Sequence, residues 1–80
     1  FNPATEIAFA LPQATTVDLA VYTVNGRRVA TLVNQDLAAG EHRVIWDGRD
    51  TTGQRVASGA YFYRLNAGGE VQVKRMSLVK

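Results

Sequence analysis

Apolar and polar residues alternate with a period of two along most of this chain. The first alternating segment covers residues 7–11 and ends at Pro12, and the second covers residues 17–21. Alternation of this kind is typical of a β-strand that buries one face. Further segments with strand character lie at about residues 28–33, 42–46, 61–65 and 71–79.

Turn-forming residues separate these segments. Asn25-Gly26 lies between the second and third segments and predicts a type I′ hairpin turn. The polar residues 34–36 are expected to end the third strand, and Gly68-Gly69 marks a turn before the last one. No segment places apolar residues at helical spacing over three turns. The pattern therefore predicts an all-β fold, a small antiparallel sandwich of six or seven strands.

The inward positions of the alternation define the expected core. They are Ile7, Phe9, Leu11, Val17, Leu19, Val21, Val44, Trp46, Tyr61, Tyr63, Met76 and Leu78. Because Trp46 alternates with Val44, a core position is favoured over a platform that stacks on a sugar. The consecutive aromatic residues 61–63 cannot all face one side of a strand, so that strand also presents aromatic surface or meets a partner.

Length and composition restrict what the chain can do. A domain of 80 residues buries only about 60% of its unfolded surface and has no room for a deep cleft. The hydrophobic fraction of 46% and the charged fraction of 20% are those of an ordered globular protein. A net charge of +2 is too small to indicate a nucleic-acid partner, and no apolar run is long enough to predict a membrane span.

The residues with chemical potential have structural explanations. His42 is the single histidine and has no cysteine or second histidine to assist it, so it is expected to be a strand residue. Asp47 and Asp50, with the hydroxyl groups of Thr51 and Thr52 and the loop carbonyls, are a candidate Ca²⁺ site. A turn-capping role is favoured, because aspartates cap their own turns and the spacing is not that of an EF-hand. Neither a catalytic residue, a cofactor nor a metal site is predicted, so an enzyme is the least expected function.

A basic pair follows the Asn25-Gly26 turn. Arg27 and Arg28 are expected to form a solvated hairpin tip, since two adjacent arginines do not make a nucleic-acid patch.

A series of short motifs, in order along nearly the whole chain, resembles the C-terminal sorting domains of bacterial type IX secretion. The residues that carry the resemblance are 1–12, 21–22, 25–27, 29–32, 39–40, 42, 46–48, 53, 56–59, 61–65 and 74–80. The related immunoglobulin-like domain of flagellar hook-capping proteins shares the middle of this pattern. The resemblance implies an immunoglobulin-like β-sandwich of about seven strands.

The same resemblance implies a function in protein sorting. Residues 1–80 would be a single C-terminal domain, cut from a longer secreted protein because the chain starts at Phe1 without an initiator Met. It would direct an upstream enzyme or adhesin through the periplasm of a Gram-negative-type bacterium to the cell surface or medium. Its partners would be the type IX machinery and its processing peptidase.

The last strand is the expected recognition element of such a domain. A chain end at a sheet edge offers unpaired N–H and C=O groups for strand addition. The candidate signal consists of Lys74, Arg75, Met76, Ser77, Leu78, Val79 and Lys80.

Two other functions compete with sorting. One is a structural or adhesive immunoglobulin-like domain, as in hook-capping proteins, which would assemble with copies of itself or continue into further chain. The other is an accessory carbohydrate-binding module of a glycoside hydrolase, which requires a solvent-facing aromatic platform.

Overall fold

A computed structural model describes residues 4–79, which form β-strands and turns. The strands are β1 (Thr5–Leu11), β2 (Thr15–Thr23), β3 (Arg28–Leu37), β4 (Gly40–Trp46), β5 (Gly59–Ala67) and β6 (Glu70–Leu78). Within these residues there is no helix of the length and apolar character that a membrane crossing needs.

The strands form two antiparallel sheets. β1 pairs with β4, and the second sheet has the strand order β3-β2-β5-β6. This arrangement confirms the predicted all-β antiparallel sandwich, with six strands among the described residues where the resemblance implied about seven. The corner loop, residues 47–58, contains an isolated bridge between Arg49 and Arg55 in place of a further strand.

Two hydrophobic clusters fill the space between the sheets. The first consists of Ile7, Leu11, Val17, Leu19 and Leu65, and the second of Val21, Trp46, Tyr61 and Leu78. All but Leu65 were expected in the core from the alternation. The side chains of the second cluster lie beside the corner loop, which Trp46 joins to the sandwich.

Four predicted core residues are only partly buried and pack against the margins of these clusters: Phe9, Val44, Tyr63 and Met76. The two-stranded sheet is narrower than the sheet that it covers, and both of its strands are edge strands, so it cannot bury every inward position. Ala20, Ala30 and Leu65 are buried without having been predicted. Ala20 is a small outward residue flanked in register by Thr31 and Arg64.

The hairpin between β2 and β3 differs from the predicted type I′ turn. Asn25 does not have a positive φ, whereas Gly26 has a φ of 86°. The amide of Gly26 donates to the Thr23 carbonyl at 3.0 Å, and the Thr23 amide donates to the Arg27 carbonyl at 2.9 Å. These bonds describe a three-residue loop in which a left-handed glycine follows the turn. The Thr23 hydroxyl, which accepts the Arg27 amide at 3.1 Å, supports this longer loop.

The hairpin between β5 and β6 has the expected tight turn. Gly68 and Gly69 lie between the strands with φ values of 59° and 84°. Two consecutive left-handed residues are the requirement of a type I′ turn, which glycine meets without a steric penalty.

β3 is longer than predicted and irregular. It continues through the polar residues 34–36 to Leu37, because these residues pair with β2 at an exposed sheet edge that needs no apolar side chains. The Thr16 hydroxyl also donates to the Asp36 carboxylate across the pair. Two shifts in register leave Leu32 and Val29 without a direct partner in β2. Both side chains pack against the core, as expected of bulges that redirect a side chain.

Candidate functional site

The corner loop satisfies its own polar groups. The Asp50 carboxylate oxygen Oδ1 accepts hydrogen bonds from the Thr52 amide at 2.9 Å, the Thr52 hydroxyl at 2.6 Å and the Gln54 amide at 3.0 Å. These bonds, led by that of the Thr52 hydroxyl, hold the pKa of Asp50 below its ordinary value. The loop therefore uses Asp50 as a turn cap.

Asp47, the second acidic residue of the loop, also has partners there. Its carboxylate accepts the Arg49 amide at 3.2 Å and lies 3.5 Å from the Arg49 guanidinium. Among residues 4–79 no three or more His, Cys, Asp or Glu side chains are grouped closely enough to hold a metal ion.

The aromatic side chains nearest the loop are buried. Trp46 is 1% exposed, and its ring meets that of Tyr61 edge to face with centroids 5.3 Å apart. The indole N–H donates to the Arg49 carbonyl at 2.9 Å, and the Tyr61 hydroxyl donates to the Ala57 carbonyl at 2.7 Å. Trp46 therefore fastens the corner loop to the core and is not available as a sugar-binding platform.

His42 lies on β4 as a half-buried strand residue. Its ring stacks on that of Phe9, with centroids 5.5 Å apart, and its Nε2 lies 2.7 Å from the Ala38 carbonyl. This Nε2 is the donor, because a carbonyl oxygen can only accept.

Arg28 was expected at a solvated hairpin tip. Its side chain is exposed, as expected, but it also forms a network of polar contacts that the sequence did not predict. Its guanidinium lies across the outer face of the four-stranded sheet, where it donates to the Tyr22 hydroxyl at 2.8 Å and the Thr31 hydroxyl at 2.9 Å. It also pairs with the Asp18 carboxylate at 3.4 Å, and this contact raises the pKa of Arg28 above its ordinary value. The partners lie on β2 and β3, so the network becomes visible only when the strand register is known. Arg27 itself is exposed as predicted.

The candidate recognition signal is divided between core and surface. Leu78 is 3% exposed in the second cluster, and Met76 packs partly against both clusters. The side chains of Lys74, Arg75, Ser77 and Val79 are exposed, and Lys80 lies outside the described residues. The structure therefore does not present residues 74–79 as one continuous surface strip.

β6 itself forms one edge of the four-stranded sheet. It pairs with β5 over its whole length without a shift in register, and no strand among residues 4–79 lies on its other side. We call this free side the β6 edge. Residues Glu70 to Arg75 are all exposed, including Val71 at 48% and Val73 at 57%.

β3 forms the opposite edge of the same sheet and is partly covered. The corner loop reaches it through the Thr51 amide, which donates to the Val29 carbonyl at 3.1 Å, and through the Thr51 hydroxyl at 3.3 Å. Val29 is also one of the two bulged residues. Among residues 4–79 the sheet therefore has one irregular, partly covered edge and one regular edge.

A solved protein structure shares this architecture. The crystal structure of FlgD from P. aeruginosa superimposes with a TM-score of 0.72 and 24% sequence identity, over 94% of this chain and 60% of that chain. This likeness shows an immunoglobulin-like fold. A search of curated proteins found no significant match.

The family comparison covers β1 to β5. The family model described as the FlgD Ig-like domain matches residues 2–70. The match agrees with the hook-capping resemblance, and the comparisons offer no support for the sorting domains of type IX secretion in particular. FlgD-like Ig domains are non-catalytic structural domains. The chain belongs to the FlgD Ig-like domain family.

Proposed function

We propose that this chain is a structural module of a hook-capping type of protein, in which it contributes a folded surface to an assembly. The observation that carries the proposal is the family match over residues 2–70, which extends through five strands. The polar groups of the corner loop serve the fold, since Asp50, Asp47 and Trp46 all have partners within the loop. The module would be part of a longer protein.

A domain replacement tests this function. The Ig-like domain of P. aeruginosa FlgD is exchanged for this chain, and hook completion and swimming are compared with those of a FlgD from which the domain is deleted. We expect the replacement to restore part of the function lost by deletion. The matched control carries Trp46→Ala, which should weaken restoration because the loss of the buried indole destabilises the module. A stable, folded replacement that performs no better than the deletion would contradict the structural role.

Protein sorting is the second candidate function. It is favoured by the β6 edge, which offers backbone groups for the addition of a partner strand. In this case the chain would carry an upstream passenger to the cell surface or medium, and its partners would be the type IX machinery and a processing peptidase.

Export of a fused reporter in a host with an active type IX system tests sorting. Deletion of residues 74–80 should retain the reporter in the periplasm, whereas Arg27→Ala on the exposed hairpin should leave export intact. Because the deletion also removes the buried Leu78, a variant with Lys74, Arg75 and Lys80 changed to Gln separates signal from stability. Continued secretion after the deletion, or no export by the intact domain, would exclude the sorting function.

A further inference from the structure

We propose that two copies of this chain pair through their β6 edges, antiparallel about Gln72, to join their four-stranded sheets into one continuous sheet. The occupant of the edge is thus a second copy of the chain. This inference deepens the proposed structural role by naming a partner, and its biological meaning rests on that role.

The first support is the regularity of the β6 edge. An edge strand with unpaired N–H and C=O groups is a template for another strand unless a bulge, a charge pattern or a covering segment blocks it. β3 has two bulges and a loop contact at Val29, whereas β6 pairs with β5 without a shift in register. The exposed residues 70–75 of β6 thus leave one side of the strand available for strand addition.

The second support is charge complementarity in one register. When β6 is placed antiparallel to a copy of itself about Gln72, Glu70 of each copy lies opposite Lys74 of the other. Among the described residues neither side chain has an ion pair within its own copy. Opposite charges directly across an antiparallel pair stabilise it, so each dimer gains two such contacts. A register about Lys74 would instead place the two Lys74 side chains opposite each other.

The third support is that the same register also brings apolar side chains of the two copies together. It places Val71 of each copy opposite Val73 of the other, and both residues are among the exposed large hydrophobic residues of the chain. They lie on the opposite sheet face from Glu70 and Lys74, because side chains alternate along a strand. One register therefore joins apolar side chains on one face and opposite charges on the other.

The pairing involves residues 70–74 of each copy, so the interface is small. Small interfaces are weak and transient, and we therefore expect a weak dimer.

Sedimentation over a concentration series should show a reversible dimer of the wild-type chain. Glu70→Lys and Lys74→Glu should each raise the dissociation constant about tenfold or more, since two attractive pairs become repulsive. The double variant Glu70→Lys/Lys74→Glu restores the opposite charges and the net charge, and should dimerise like the wild type. Circular dichroism confirms that each variant is folded.

Disulfide trapping tests the register directly. In the proposed dimer the two copies of residue 72 lie opposite each other, with Cα atoms about 4.5–5.5 Å apart, within the range of a disulfide. Gln72→Cys should therefore cross-link readily, as the chain has no native cysteine. Gln35→Cys is the matched control, because Gln35 is an exposed glutamine on the irregular β3 edge.

Three results would overturn the pairing: a wild-type chain that stays monomeric at millimolar concentration, a double variant that dimerises as poorly as the single ones, or equal cross-linking at positions 72 and 35. Each would leave the domain-replacement test unaffected, so failure of the pairing and failure of the structural role are distinguishable.

Discussion

The two edge strands of the four-stranded sheet, β3 and β6, differ in how their unpaired backbone groups are protected from strand addition. β3 carries bulges at Val29 and Leu32, and the corner loop donates two hydrogen bonds to the Val29 carbonyl. β6 keeps an unbroken register with β5 and exposes Val71 and Val73. Bulges and covering loops are the means by which proteins prevent unwanted strand addition. The comparison indicates that strand addition is hindered at the bulged and covered part of β3, and that β6 is the more regular edge on which an interaction can be built.

The difference between the two edge strands is also related to the contacts that each makes with the core. The two bulges of β3 turn Val29 and Leu32 towards the hydrophobic clusters, so its irregularity contributes to packing. β6 contributes to the core only through its last part, where Met76 and Leu78 pack. The side chains of its first part, residues 70–75, are exposed. A strand whose core contacts lie at one end can therefore offer its other end to a partner without loss of those contacts.

The largest predicted effect is that of replacing Trp46, which attaches the corner loop to the core. Trp46→Ala deletes a 1% exposed side chain and its hydrogen bond to the Arg49 carbonyl. We expect a loss of about 4 kcal/mol in the free energy of unfolding, measured by chemical denaturation. Trp46→Phe keeps most of the apolar contact and serves as the control. An alanine variant as stable as the phenylalanine variant would mean that Trp46 does not anchor the loop.

The second-largest predicted effect is a difference in stability between substitutions at the buried and the exposed part of β6. Leu78→Ala opens a cavity in the second cluster and should cost about 3 kcal/mol of unfolding free energy. Val73→Ala changes a side chain that is 57% exposed, and should change stability by less than about 0.5 kcal/mol. Thermal or chemical unfolding of both variants gives the comparison. Similar losses at the two positions would show that the open part of β6 is also held by packing, contrary to the structure.

Much of the fold follows from sequence because each strand with a buried face must alternate. Ile7 and Leu11, or Val17 and Leu19, identify their strands without any knowledge of their neighbours. The same signal fails at residues 34–36, since an exposed edge strand needs backbone partners and not apolar side chains. It also fails at Asn25-Gly26, because a dipeptide preference does not specify the length of the loop that Thr23 supports.

The candidate site was less accessible to sequence analysis for a related reason. The network of Arg28 with Asp18 and Tyr22 joins the two strands of one hairpin, and these side chains meet only in the register that the bulges set. The complementarity of Glu70 and Lys74 likewise appears only when β6 is known to be an edge. The motifs shared with sorting domains are largely turns and core positions. They report the fold, which the hook-capping domains share, and do not separate the two functions.

The smallest predicted effect concerns the pH dependence of the loop that covers β3. Because hydrogen bonds in the folded state hold the pKa of Asp50 below its ordinary value of 3.8, the unfolded chain binds the proton more readily. The carboxylate therefore stabilises the fold above that ordinary value, and this contribution is lost as the pH falls through the folded pKa. Urea unfolding between pH 2 and pH 7 should show the wild type more stable than Asp50→Asn near neutrality, with the difference shrinking in acid. Thr52→Val removes the hydroxyl bond that contributes most to the shift, so it should weaken the same acid dependence. A constant difference between wild type and Asp50→Asn across the whole pH range would show that the Asp50 charge does not hold the loop in place.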